Sequence, residues 1–151
     1  MAFTLLNAIT ETRRHLNDST ESVWTDNDIS EFINEGLMII KATIPEYFTD
    51  LEEAISKTDI IIIDNLYKKL PCLFAAARCF EQDEQNYRAV QKMNEFESRK
   101  MDMETYIRNS KEYEDKINDP NNPYHNEDVE YVKDVYSYST IKDDIVLPLI
   151  P

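Results

Sequence analysis

Two histidines, two cysteines and a surplus of carboxylates are the groups in this 151-residue chain from which acid–base, nucleophilic or metal chemistry would have to be built. None of them falls into a spacing that such chemistry needs. His15 lies at the C-terminal end of an expected helix, where the dipole favours a cation, and His125 lies in an Asn-Pro-Tyr-His-Asn loop as a solvated residue. Cys72 and Cys79 are seven residues apart in an expected helix, about 10 Å along its axis. A disulfide needs Cα atoms within roughly 7 Å, so both read as reduced core residues of a chain made in a cytoplasm. Asp26-Asn27-Asp28-Ile29-Ser30 opens like a calcium loop, but the sixth position is Glu31 instead of glycine and the twelfth is Leu37 instead of glutamate. A helix N-cap explains the same residues. The adjacent acids Glu52-Glu53 and Asp143-Asp144 are expected pairs among 30 acidic residues. No Gly-x-Ser-x-Gly elbow is present, and the single glycine, Gly36, cannot write a dinucleotide or phosphate-loop fingerprint. The expectation is a non-enzymatic protein without cofactor or metal.

Charge narrows the partners. Sixteen basic against 30 acidic residues give a net charge of −14, and the mean hydropathy is −0.56. Such a surface repels phosphates and anionic headgroups, so neither specific nucleic-acid binding nor membrane association is expected. The longest apolar runs, such as the four isoleucines between Asp59 and Asp64, fall far short of a bilayer span, and no basic-then-apolar leader opens the chain. Arg88, Lys92, Arg99, Lys100 and Arg108 concentrate in one expected helix. Two readings stay open for them: pairing with Glu84, Glu95, Glu97 and Glu104, or a basic face for an acidic face of another copy.

The elements that would position these groups are helical, because tight β turns lean on the glycine that is missing. Leu5, Leu6, Ile9 and Leu16 share a face of a first helix, with Glu11, Arg13 and Arg14 placed off it. Thr25 and Asp28 form a capping-box start to a second helix carrying Ile29, Phe32, Ile33, Leu37, Ile40 and Ile44, which Pro45 ends. Glu46 to Lys57 reads as a short helix and Ile60 to Ile63 as a buried extended segment. A third helix, capped by Asp64 or Asn65, carries Leu66, Leu70, Leu73, Phe74, Ala77 and Phe80, with Pro71 kinking it or marking its true start. A long fourth helix runs from about Tyr87 to Lys111 or beyond, with Tyr87, Val90, Met93, Phe96, Met103, Tyr106 and Ile107 on a broad apolar face. The fold class is mainly α: a small four-helix bundle with a long C-terminal helix and an extended C-terminal arm. The domain division is a helical body over 1–118 and a tyrosine-rich arm over 119–151.

The arm ends in Ile145-Val146-Leu147-Pro148-Leu149-Ile150-Pro151, too apolar to leave in water and too rich in proline to be a helix. It must dock, either as a strap on its own domain or as an arm on a neighbour. The expected protein-interface residues are Tyr131, Tyr136, Tyr138, Ile141, Ile145, Leu147, Leu149 and Ile150.

The order of elements carries a resemblance. Leu16, Asn17 and Asp18, then Trp24, Thr25, Asp26 and Ile29, then Ile33, Asn34 and Glu35, followed by the Leu70–Arg78 helix and a long closing helix, resemble the head–tail connector (adaptor, or ring) proteins of tailed bacteriophages. The likeness runs to about Lys111. It implies a structural virion protein, made in the host bacterial cytoplasm and placed at the head–tail junction. There it would form a homo-oligomeric ring of commonly about twelve copies beneath the portal protein, extend the DNA channel and join neighbouring ring or tail proteins. DNA would pass through without specific binding. A different class shares the composition: an acidic helical DNA mimic that occupies a host DNA-binding enzyme.

Overall fold

The computed structural model describes residues 1–18, 20 and 23–125. Five helices make up the body: α1 (Leu5–Leu16), α2 (Asp26–Thr43), α3 (Leu70–Gln82), α4 (Asn86–Arg108) and α5 (Lys111–Ile117). No strand is formed among the described residues, and one isolated antiparallel bridge joins Thr4 to Ile60.

Local chemistry sets the helix starts. Thr4 and Asn7 form a reciprocal capping box on α1, and Thr25 and Asp28 form one on α2. α1 stops where Asn17 takes a left-handed backbone, φ 56°, which asparagine tolerates better than most residues. Pro71 lies in the first turn of α3 and marks its true start instead of kinking it. Asp64 caps only a turn, accepting from the amide of Leu66 at 2.9 Å, and Leu66 stays exposed outside the apolar stripe expected of it.

α3 is the central element, packed against α1, α2 and α4. Every residue from Leu70 to Ala77 is buried, as befits a helix apolar on all sides. The approach of α2 is so close at Gly36 that an added Cβ would lie 3.2 Å from the Phe74 ring and 3.3 Å from the Pro71 Cα. α4 contributes a narrower stripe than its composition suggests: Ala89, Phe96, Met103 and Ile107 are buried, whereas Val90 and Tyr106 are exposed and Tyr87 is 82% exposed. The long fourth helix also breaks earlier than expected. Asn109 ends it, and Ser110 starts α5 by accepting from the Tyr113 amide at 3.2 Å.

Two expectations between α2 and α3 fail for physical reasons. Glu46 to Lys57 forms no helix, because α2 side chains take its backbone groups. Asn34 bonds both the carbonyl and the amide of Ala54 at 2.9 Å, and Lys41 donates to the Leu51 carbonyl at 2.9 Å. Phe48, Leu51 and Ala54 are buried through these clamps, while Ile55 points into solvent. The isoleucine run bridges to Thr4 at Ile60, turns at Ile62, where the Ile63 amide donates to the Ile61 carbonyl at 3.1 Å, and is not buried as a block. Ile61 is 4% exposed, whereas Ile60 is 59% and Ile62 62% exposed. The alternation follows from the two-residue period of extended chain beside only one covering layer.

Candidate functional site

All eight expected interface residues, from Tyr131 to Ile150, lie outside the described residues. What the structure brings together instead is the ground they would extend from, and a polar lock that sequence reasoning missed.

Arg13 was expected off the apolar face of α1, yet it is only 7% exposed. Its Nη1 donates to the Asp18 carboxylate at 3.1 Å, and its Nη2 donates to Asp26 at 2.7 Å and to the Trp24 carbonyl at 3.0 Å. The same Asp18 oxygen accepts from the Trp24 amide at 3.1 Å, and the Asp18 amide donates to the Arg13 carbonyl at 3.1 Å. Lys57 reaches Asp26 from the far side. Hydrogen bonds from Arg13, then from Lys57, hold the Asp26 carboxyl below its ordinary range. One guanidinium thus ties the end of α1, the connecting turn and the start of α2 into a unit. A cleft of about 500 Å³ opens beside it, lined by Leu6, Thr10, Arg14, Asp26 and Lys57 among others. The buried Nε of Arg13 has no hydrogen-bond partner among the described residues. The signal available in the sequence was a pair of arginines in the last turn of α1 followed at once by Asn17-Asp18.

Some of the residues that carried the resemblance build this lock. Asn17 supplies the left-handed turn, Asp18 and Asp26 the carboxylates, Trp24 the backbone contacts, and Thr25 the cap. Ile29 and Ile33 lie in the core beneath, Asn34 clamps the following loop, and Glu35 meets Arg78 at 3.5 Å.

A second network fixes the other end of the body. Glu46 accepts from Arg108 at 2.9 Å and from the buried Tyr113 hydroxyl at 2.7 Å. Arg108 also meets Glu104 at 3.1 Å, and its Nη1 donates to the Tyr113 oxygen at 3.0 Å. Lys116 donates to the Tyr47 carbonyl at 2.9 Å, with its ammonium 4.4 Å from the Tyr47 ring centre. Residues 119–125 close over this network: Asn122 donates to the carbonyls of Glu46 and Lys116, each at 2.9 Å, and His125 bonds the Ile117 carbonyl through Nδ1 at 3.0 Å. His125 is therefore anchored instead of solvated.

The groups examined for catalysis are occupied structurally. Both cysteines are buried, and burial pushes each thiol up to about 12. His15 sits with its Nδ1 3.3 Å from Lys92; burial and then this ammonium pull it below its usual range, against the helix-end cation expected. Asp28 faces Thr25 as a cap. No cluster of three or more metal-ligating side chains occurs among the described residues. The basic residues of α4 pair mostly along their own helix: Lys92 and Arg99 with Glu95 at 3.6 and 3.1 Å, and Lys100 with Glu97 at 2.8 Å. Arg88 lies over the Phe80 ring at 5.7 Å.

The described surface does leave apolar groups uncovered. Ile60 and Ile62 project from the extended segment, which borders a groove of about 230 Å³ shared with Tyr47, Asp64, Glu112 and Lys116. A second groove of about 280 Å³ lies between α3 and α4, lined by Ala77, Ala89, Val90 and Met93.

These features define a small helical bundle whose polar groups are spent on rigidity. No helix among the described residues is long and apolar enough to cross a membrane. Comparisons with known proteins return no matching family, curated protein or solved structure.

Proposed function

We propose that this chain is a structural subunit of a phage head–tail junction. In this reading it forms a ring, of about twelve copies by the resemblance, that docks beneath a portal protein and extends the DNA channel. The observation that carries the reading is the Arg13 lock: Asp18, Trp24 and Asp26, among the residues that carry the resemblance, bond one guanidinium that ties the end of α1 to the start of α2. Rigid geometry is what a ring subunit needs, since small angular errors accumulate around a closed circle. Two further features support it. An acidic surface lets duplex DNA slide instead of holding it, and the polar side chains that would build a catalytic site are committed to caps and clamps.

The contact to the neighbouring portal, ring or tail protein is assigned to the C-terminal stretch Val129–Pro151, with Ile145, Leu147, Leu149 and Ile150 as anchors. Deleting Asp143–Pro151 is the test. The shortened chain should remain a folded helical monomer by circular dichroism and light scattering, and should fail to join a portal ring that the full chain joins. Loss of the fold on truncation, or a persistent one-to-one complex of the full chain with a DNA-binding enzyme, overturns the reading.

A further inference from the structure

The cleft beside the Arg13 lock continues into a second one. That second cleft, of about 240 Å³, is lined by Phe3, Asn7, Glu11, Lys68 and Lys69 among others, and Thr10 and Arg14 of α1 line both. Together they form one groove along α1, whose 12 residues span about 18 Å. Its charge is the reverse of the chain's. Among the described residues, the groove carries the basic side chains of Arg13, Arg14, Lys57, Lys68 and Lys69 against the acids Glu11 and Asp26, in a chain of net charge −14. Depth separates the two signs. The side chains of Glu11 and Asp26 are only 14% and 20% exposed, whereas those of Arg14, Lys57 and Lys69 are 73%, 55% and 53% exposed. The rim is therefore positive. Lys68 adds to it: its ammonium lies 5.8 Å from the Phe3 ring centre and meets no carboxylate among the described residues.

We infer that this groove is a docking surface for a short acidic segment of a partner protein, with an apolar side chain set between its carboxylates. The walls are formed before any partner arrives. The Leu5 and Leu6 amides donate to the carbonyls of Asp59 and Lys57 at 2.9 and 3.0 Å, and Arg13 is held by Asp18, Asp26 and the Trp24 carbonyl. A preformed site loses less binding energy to ordering. Leu6, exposed in the first cleft, and Phe3 in the second offer apolar contact beside the cations. Arg14 and Lys69 each meet one carboxylate, that of Glu11, and keep further donors for charge-assisted bonds to a partner's acids. Five or six extended residues, at about 3.3 Å each, fill the length of the groove. The acidity of the remaining surface does not cancel the attraction, because exposed charges more than about 8 Å apart are largely screened at physiological salt. A nucleic-acid duplex fits worse: its phosphates run on past the groove to meet the acidic surface beyond.

The groove lies along α1, apart from the C-terminal stretch to which the portal contact is assigned, so the inference goes beyond the connector reading and does not rest on it. It gives a use to cations that the fold does not need, since Lys68 pairs with no acid among the described residues and Arg14 stands mostly in water.

Titrating the peptide Glu-Glu-Leu-Glu-Glu-Leu, blocked at both ends, into the isotope-labelled full chain tests this by nuclear magnetic resonance. The amides of Leu6, Thr10, Arg14 and Lys68 should shift together and saturate. Arg14→Gln with Lys68→Gln should weaken binding about tenfold or more, through the charge-assisted bonds lost. Lys68→Gln alone, at a residue with no ion pair to lose, should weaken it about threefold. Arg99→Gln with Lys111→Gln removes the same charge from α4 and α5 and should leave binding within about twofold, because those charges are screened from the groove. The same spectra report whether each variant keeps its fold. Absence of shifts at the four amides with millimolar peptide overturns the proposal. So does equal weakening by the two double variants, which would reveal attraction to charge in general. A short DNA duplex that shifts the same amides more strongly than the peptide also overturns it, because the groove would then be a phosphate site. Peptide binding is read without a portal ring, so its failure leaves the connector reading where it stands.

Discussion

Arg13 of α1 and Asp26 of α2 meet at 2.7 Å across a turn, and the same guanidinium binds Asp18, so one buried cation serves two carboxylates from different elements. Asp18 is itself only 5% exposed. Replacing Arg13→Met should lower the unfolding free energy by about 3 kcal/mol, the order of cost when the cation of a buried ion pair is removed. Urea denaturation would check it. Arg13→Lys should recover little, because an ammonium cannot span the two carboxylates and the Trp24 carbonyl as a planar fork does.

Acid should loosen the same corner. The Asp26 carboxyl is held below its ordinary value of 3.8 by Arg13 and then Lys57. Its contribution is complete above that ordinary value and is withdrawn as pH falls through the lowered folded value. Asp26→Asn should thus reduce stability at pH 7 and flatten the decline below about pH 4 in a pH series of thermal melts.

His15 acts at milder pH. Burial and then Lys92 lower it, against the pull of Glu11 and Glu95, while Lys69 adds to the lowering. The unfolded chain binds the proton more readily, so stability should fall as pH drops through 6.5, the ordinary histidine value. His15→Gln should remove that part of the slope as pH falls through the ordinary histidine value and leave the acid limb in place.

The Tyr113 hydroxyl donates to Glu46 and accepts from Arg108 beneath α5. Tyr113→Phe should cost about 1 kcal/mol through the hydrogen bonds removed, while Glu46 and Arg108 keep each other. The loss should be local. Limited proteolysis is expected to cut between Asn109 and Lys111 faster in the variant, with the α1–α4 fragment persisting.

Gly36→Ala sets helix propensity against space. Alanine would favour α2 by up to about 1 kcal/mol. The added methyl meets the Phe74 side chain and the Pro71 backbone together, and the latter cannot rotate away. Net destabilisation of about 1 kcal/mol is expected in chemical denaturation.

The helical body was largely legible because its signals are local. The Thr25–Asp28 cap, the three-and-four spacing from Ile29 to Ile40 and the proline at the start of α3 each act within a few residues. Arg13 was not legible, since its burial exists only once Asp18, Trp24 and Asp26 have folded back around it. The break before α5 was hidden in a continuous helical pattern, and only Ser110 with Tyr113 buried three residues later discloses it. The isoleucine run misled for another reason: hydrophobicity says that residues prefer burial, but only the neighbouring layer decides whether both faces receive it. Of the expected interface, nothing from Tyr131 onward falls within the described residues.

The two buried thiols give the molecule a built-in clock. Cys72 and Cys79 sit on the central helix with their thiolates suppressed, so a thiol-directed reagent at neutral pH has no route to them in the closed body. Each labelling event would therefore record an opening of α3 away from its neighbours. Followed by mass spectrometry on an unaltered chain, the labelling rate would measure how often α3 comes away from the helices packed on it.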